Sequence, residues 1–375
     1  MHSDDLTAVA QLRDQEGVLS CYVTVDPDQE TAGGLPGETK LFKGLHAVAA
    51  ALGDRGEPAR QARLAARLTE LQPHLRRLTG GATPGRGRAL FAGLSGGEIR
   101  TVRTQASLGD HVVLDESPYL RPLVEAYGAG DPAGVVAVTA HGVRVLEARH
   151  GFLSPIAELR HESTTEVGRT AGNDRDELDD RRRRWQDHLD RFLAGAAGRV
   201  SHAAEFSGWA HLLVTGEPGL VATFAAGLTG AARERLATAH RTVPEALPPA
   251  RIAALVAGDL HAAQRTRQQA LVSAALGRGH AARGLSDTLA LLAEGRVGHL
   301  LIDASAHWAG HRDDRGRLWA DPERPADGGT LRPEPDLPER MIELAYRTGA
   351  QVTLLDREVA EPLSDADGVA ALLRW

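Results

Sequence analysis

Apolar and polar positions along the chain follow two different periods, and the switches between them mark out the elements. Val18 to Val25 is a near-continuous apolar run that predicts a strand. A short helix over Thr7 to Arg13 leads into it, and a Pro/Gly-rich loop, Asp26 to Gly37, leads out. Helical periodicity covers Leu41 to Leu52 and Ala59 to Leu78, until Gly80-Gly81 and Pro84-Gly85 break it. Strands around Ala89 to Phe91 and Ile99 to Thr104 close this unit. Pro118, Pro122 and the cluster from Gly128 to Pro132 read as a linker.

The second stretch opens with Val135 to Thr139, a His141-Gly142 turn and Val143 to Leu146, which is a hairpin pattern. A polar, glycine-bearing loop, Glu162 to Asp180, then runs into Arg181-Arg182-Arg183-Arg184-Trp185. Apolar residues recur at Trp185, Leu189, Phe192, Leu193, Ala196 and Val200, the spacing of one buried helical face. The arginines, Asp187 and Asp190 fall on the other face. A strand, Leu212 to Thr215, stops at Gly216, alanine-rich helices follow, and Pro244, Pro248 and Pro249 mark the exit. Hairpin, helix, strand and helix predict a small α/β layer.

The third stretch predicts a long helix over Arg251 to Leu276 and a helix Asp287 to Ala293 with Ser286 as its N-cap. Then come a strand Val297 to Asp303, a polar insertion from Ala309 to Asp336, and a helix Pro338 to Thr348 closed by Gly349. Strands Gln351 to Leu355 and Val369 to Trp375 end the chain. The alternation predicts an α/β sandwich. The insertion is expected to be mobile, because Gly, Pro, Asp and Arg fill a core poorly.

Composition narrows the function classes. A length of 375 residues suggests two or three domains, and 42% apolar with 25% charged residues is the make-up of a soluble globular protein. No apolar run is long enough to span a bilayer, and the N-terminus lacks the layout of a signal peptide. The single cysteine, Cys21, alternates within a strand as a core residue. One cysteine fits a reducing compartment, so the cytoplasm is the expected location. The formal net charge of −7 argues against a general polyelectrolyte binder, so any nucleic-acid contact must be local. Of 43 basic residues only Lys40 and Lys43 are lysines, the mark of a GC-rich coding sequence.

Candidate chemistry is sparse. His307 and His311 are spaced i, i+4 with Asp313 and Asp314 close by, but Gly310 works against a helix there. No Glu stands beside His307 as in a zinc protease, and neither a metal nor a cofactor is expected. Gly93 to Gly97 lacks the lysine of a phosphate loop and reads as a hairpin turn. Taken alone, Arg181 to Arg184 read as a solvated face paired with Asp179, Asp180 and Asp187.

The order of these units carries a resemblance. "ALLAEGRVGHLLID" (Ala290 to Asp303), "ELAYRTGAQVTLLD" (Glu343 to Asp356) and "DGVAALLRW" (Asp367 to Trp375) resemble the third domain of the archaeal and eukaryotic class-1 release factor and Pelota family, including its divergent bacterial branch. "LSCYVTVDPD", "GRALFAGL" and "YLRPLVEAYG" resemble its first domain, and the hairpin with the basic helix resembles its central one. The resemblance implies three consecutive α/β domains, at 1–130, 131–248 and 249–375. The central domain would be RNase H-like and the third an α/β sandwich. It also implies the ribosome, with the RNA of both its subunits, as partner, an elongation-factor-type GTPase as a further one, and no membrane.

In that family the central loop carries Gly-Gly-Gln, which positions a water on the peptidyl-tRNA ester. Aligned on the basic helix, Gly172-Asn173-Asp174 falls in its place, followed by Arg175. Asp174 lacks the neutral amide, and its carboxylate would be repelled by ribosomal phosphates. The family's codon-reading Asn-Ile-Lys-Ser loop matches Glu38-Thr39-Lys40-Leu41, where only Lys40 agrees. Lys40 and Lys43 are therefore expected on a loop touching small-subunit RNA. The resemblance thus implies a ribosome-binding protein of the A site, a hibernation or stalled-ribosome factor. Its contacts would be Lys40, Lys43, Gly172, Asn173, Asp174, Arg175 and Arg181 to Arg184. Two alternatives stand beside it: a peptidyl-tRNA hydrolase using Arg169, Arg175 or Gln186, and a stress-linked protein that has left the ribosome.

Overall fold

The computed structural model describes residues 3–25, 36–80, 83, 85–128, 132–149, 152–161, 175–238, 247–277, 279–320 and 330–374. The chain divides into two compact units, one of 1–128 with 267–375 and one of 129–266.

The first unit begins with helix α1 (Ser3–Ala10) and strand β1 (Val18–Thr24), then α2 (Pro36–Asp54) and α3 (Pro58–Thr79). Strands β2 (Gly87–Gly93), β3 (Ile99–Thr104) and β4 (His111–Asp115) and helix α4 (Arg121–Gly128) follow. The strands form an antiparallel sheet in the order β3-β2-β1-β4. β1 is apolar on both faces because both are covered. Leu19, Cys21 and Val23 pack with Leu41, Leu45, Leu64 and Leu71 of α2 and α3, at helical spacing. Tyr22 and Phe91 point the other way, into a core shared with α1, α4 and the C-terminal part of the chain. Val18 to Val25 was expected as a strand and Cys21 as core, and Cys21 is fully buried. The stretch read as a linker instead contains α4, with Leu120, Leu123 and Val124 in that core.

The second unit contains β5 (Ala133–Val138), β6 (Gly142–Arg149), β7 (Phe152–Arg160), α5 (Arg175–Phe206), β8 (His211–Gly216), α6 (Pro218–Ala226), α7 (Gly230–Glu234) and β9 (Leu236–Thr238). Its sheet runs in the order β7-β6-β5-β8-β9. β5, β8 and β9 are parallel, whereas β6 is antiparallel to both of its neighbours. One face of the sheet is covered by α5 and α6 through Leu189, Leu193, Val200 and Phe224. Ile252 and Val256 of α8 (Pro249–Leu276) pack with Val135, Leu146 and Leu213. At Gly134 the buried Trp209 ring comes so close that a Cβ would lie 2.3 Å from it. Only glycine fits there.

The C-terminal part returns to the first unit with β10 (Ala281–Arg283), α9 (Leu285–Ala293), β11 (Val297–Asp303), β12 (Gly310–Asp313), β13 (Leu318–Trp319) and β14 (Leu331–Glu334). Helix α10 (Leu337–Arg347), β15 (Gln351–Leu355), α11 (Arg357–Ala360) and β16 (Val369–Leu373) complete it. Its sheet is ordered β10-β16-β11-β15, with β11 and β15 parallel. Leu289, Leu292, Met341 and Ile342 of α9 and α10 pack on one face, Val272, Ala275 and Val359 of α8 and α11 on the other. Ser286 does not cap α9. It lies inside the helix, whose first free N–H, on Leu285, donates to the Asp367 carboxylate. The insertion also differs from expectation. β12, β13 and β14 form a small sheet, pinned by the buried Asp313, which accepts from Arg315 N, Arg317 N and Arg317 Nε. Residues 321–329 of that insertion lie outside the described residues.

Candidate functional site

The basic helix is the element with most to offer. α5 has 32 residues, about 48 Å at the rise of an α-helix. Of its described side chains, every one from Asp180 to His188 is exposed, and Leu189 is the first to be buried. Its first turns therefore stand clear of the sheet that its later turns cover. Trp185 was expected on the buried face. It is 43% exposed, because it precedes the point where α5 meets the sheet. Phe192 is half-buried, and Leu189, Leu193, Ala196 and Val200 are core as expected.

Arg181 to Arg184 are all exposed. Arg183 reaches Asp180 at 3.6 Å, a solvated i, i+3 pair worth little. Gln186 donates to Asp190 at 3.0 Å along the helix. This holds its amide along the flank of α5.

An aromatic contact that sequence reading missed sits beside the arginines. His161, just past the end of β7, packs at 5.2 Å from the Phe192 ring and 6.4 Å from the Trp185 indole, its plane near perpendicular to the latter. His161 N also donates to His141 O at 2.8 Å, which fixes the end of β7 against the β5–β6 turn. β7 hides in the sequence because Pro155 reads as a breaker. It is tolerated at this sheet edge, where the register slips between Val145 and Leu146 and Ile156 bulges out, 46% exposed.

Lys40 and Lys43 are not on a loop. Both lie in α2, whose start is set by Pro36 and by Glu38 in the first turn, where a fixed φ and a negative charge suit a helix N-terminus. Both side chains are exposed, and the Lys40 ammonium contacts Asp110 at 2.8 Å. That hydrogen bond, and then the Asp110 charge, raise the Lys40 pKa. Gly172, Asn173 and Asp174 lie outside the described residues, as do Arg169 and the rest of 162–174. Arg175 is the first residue of α5. Lys40 and Lys43 thus belong to one unit and Arg175 with Arg181 to Arg184 to the other.

The histidine pair at 307 and 311 is not helical. His311 is in β12, and the Asp313 carboxylate is taken up by Arg317 and its loop. Among the described residues no group of three or more His, Cys, Asp or Glu could hold a metal ion, and no helix is long and apolar enough to cross a membrane.

A second polar cluster lies within the first unit. The buried Arg340 of α10 donates to Asp115 at 2.5 Å, Ser117 at 2.9 Å, Glu334 at 3.0 Å and Glu343 at 3.1 Å. Burial alone would lower its pKa, but the charges of Asp115, Glu334 and Glu343 outweigh that and hold it raised. The residue just before it, Glu339, accepts from the N–H groups of Leu120 and Arg121, at the free N-terminus of α4. Burial pushes its carboxyl up to about 8 against the pull of those two donors. These groups are saturated by each other, which is the signature of a structural joint between the segments 1–128 and 267–375.

The family described as Bacterial archaeo-eukaryotic release factor family 10 matches residues 118–275. No curated protein matches the chain. Among solved structures the chain is similar to the archaeal translation termination factor aRF1, at 17% identity over 100% of this chain and 97% of that one, with a TM-score of 0.26. It is similar to Archaeoglobus fulgidus Pelota at 14% identity over 77% and 79% of the two chains, TM-score 0.33. It is also similar to S. cerevisiae Dom34, described as a translation termination-like factor interacting with Hbs1, at 10% identity over 75% of each chain, TM-score 0.39.

Proposed function

We propose that this protein is a ribosome-associated translation factor of the A site, acting in hibernation or on stalled ribosomes without Gly-Gly-Gln hydrolysis. In this reading the chain has three functional domains, at 1–130, 131–248 and 249–375. The first approaches the decoding centre with Lys40 and Lys43. The central domain directs residues 162–174 and Arg181 to Arg184 toward the tRNA acceptor end. The third is free for another partner, such as an elongation-factor-type GTPase.

The observation that carries the reading is the coincidence of two things on 118–275. That stretch matches a bacterial release-factor family, and within it the basic first turns of a long helix stand free of the core. The strand order β7-β6-β5-β8-β9 with β6 reversed supports an RNase H-like central domain. The acidic Asp174 in place of a glutamine, and the engagement of Gln186 with Asp190, favour binding over hydrolysis. With a net charge of −7, contact through local arginines makes ribosome binding strongly salt-dependent.

The test is co-sedimentation with purified ribosomes at several salt concentrations, followed by cryo-electron microscopy of the complex and a peptide-release assay. The expected result is A-site density, binding that falls steeply with salt, and no release of labelled peptide. Release that disappears in Gln186→Ala would replace this reading with the hydrolase. No association at low salt would remove the protein from the ribosome altogether.

A further inference from the structure

Trp185 precedes the first buried residue of α5 and is 43% exposed. Single exposed apolar residues are common and need no explanation. The surroundings of this one are less ordinary. The indole and the His161 ring lie 6.4 Å apart with their planes near perpendicular, and His161 in turn rests on Phe192 at 5.2 Å. The indole thus has an aromatic neighbour and still keeps 43% of its surface exposed. Arg182 lies three residues earlier, so on a helix its Cβ sits roughly 5–6 Å from that of Trp185. A partly exposed indole with an exposed arginine one turn earlier on the same helix suits a base and a neighbouring phosphate.

We infer that Trp185 is a stacking platform for one unpaired base at a single-stranded RNA end, with Arg182 holding a neighbouring phosphate. This rests on the reading of the chain as a ribosome-associated factor. Stacking on an aromatic face tolerates any base, which suits a contact that does not read sequence. An acidic peptide would satisfy the arginines but leave the indole without a partner, so RNA fits both features and a peptide fits one. The contact with His161 also limits the rotamers that the indole would lose on binding.

The experiment uses the full chain and fluorescence anisotropy with two labelled RNA hairpins, one with four unpaired 3′ nucleotides and one blunt. The expected result is tighter binding of the overhang. Trp185→Ala lowers that affinity roughly tenfold or more while leaving the blunt hairpin unchanged, and Trp185→Phe retains most of it. Arg182→Ala weakens both hairpins alike and flattens the salt dependence. Equal binding of the two hairpins by the native chain would overturn the platform. So would an overhang affinity untouched by Trp185→Ala, or an acidic peptide that binds with Trp185 dependence where the overhang does not. Thermal melting of each variant checks that the exposed change leaves the fold intact. Ribosome co-sedimentation, run in parallel, separates the two claims. Native protein that pellets with ribosomes but shows no overhang preference loses only the platform, whereas protein that never pellets loses the ribosomal reading.

Discussion

Glu339 shows how one side chain can cap a helix that is remote in sequence. Leu120 has no side-chain acceptor for the first N–H groups of α4, so α10 supplies the carboxylate. Burial is the larger effect on its proton and lifts its pKa from 4.5 to about 8. The folded chain therefore holds a proton that the unfolded chain releases. This stabilisation is complete below about 4.5 and is lost as the pH rises through about 8. Glu339→Ala should cost about 1–2 kcal/mol through loss of the cap, and more at pH 6 than at pH 9. Urea unfolding at the two pH values measures this, and a cost that grew with pH would contradict it. His299 works in the opposite sense. Burial, and then the charge of Arg267, lower its pKa to about 4, while its ring shares a 2.8 Å hydrogen bond with Thr353. The neutral ring contributes fully above about 6.5, and that contribution is lost as the pH falls toward about 4. His299→Gln should flatten the fall in the urea midpoint between pH 7 and pH 5.

At the scale of elements, period and composition told most where one face or both faces of an element are buried. The strands over 297–303 and 351–355 coincide with β11 and β15, where short apolar runs are bounded by Gly295 and Gly349. The failures have equally physical causes. β7 carries a proline that only an edge strand accommodates, and α4 is short with Pro122 in its first turn. The small sheet β12–β14 is held by Asp313 and its donors rather than by an apolar pattern. The candidate site was half legible. The arginine run is plain in the sequence, but the apolar spacing extended the buried face one turn too far, because helical periodicity says nothing about where the helix leaves its sheet. Stability should follow this division. Leu193→Ala, in the part of α5 that covers the sheet, is expected to cost about 2–5 kcal/mol, and Trp185→Ala less than about 0.5 kcal/mol. Chemical denaturation of both variants tests it, and equal losses would mean the first turns are packed after all. In β5, Gly134→Ala should cost about 1–3 kcal/mol, because the new methyl meets the Trp209 ring rather than a mobile side chain end. A variant as stable as the parent would show that the ring can shift.

For the molecule as a whole, the decisive contact is between segments far apart in the chain. Arg340 faces Asp115 from the N-terminal segment and Glu334 and Glu343 from the C-terminal one, and Arg13 adds a 2.8 Å bond to Glu343. Removing the central cation leaves acids buried without their counter-charge. Arg340→Ala is accordingly expected to destabilise the first unit by about 3–5 kcal/mol, read as a lower urea midpoint for that unit. An unchanged midpoint would mean that water reaches the cluster freely. Neither Arg340 nor its partners stood out in the sequence, because its local pairing with Glu343 looks like any helical ion pair and the contact to Asp115 spans 225 residues.

The shared core has a consequence for how the protein is made. Tyr22, Phe91 and Leu120 leave the translating ribosome long before Met341 and Ile342, which complete their surroundings. At ordinary elongation rates the wait from residue 128 to residue 345 is about 10–40 s. For that interval the nascent N-terminal sheet presents an oily side to the cell, so chaperone binding during synthesis is to be expected of this chain.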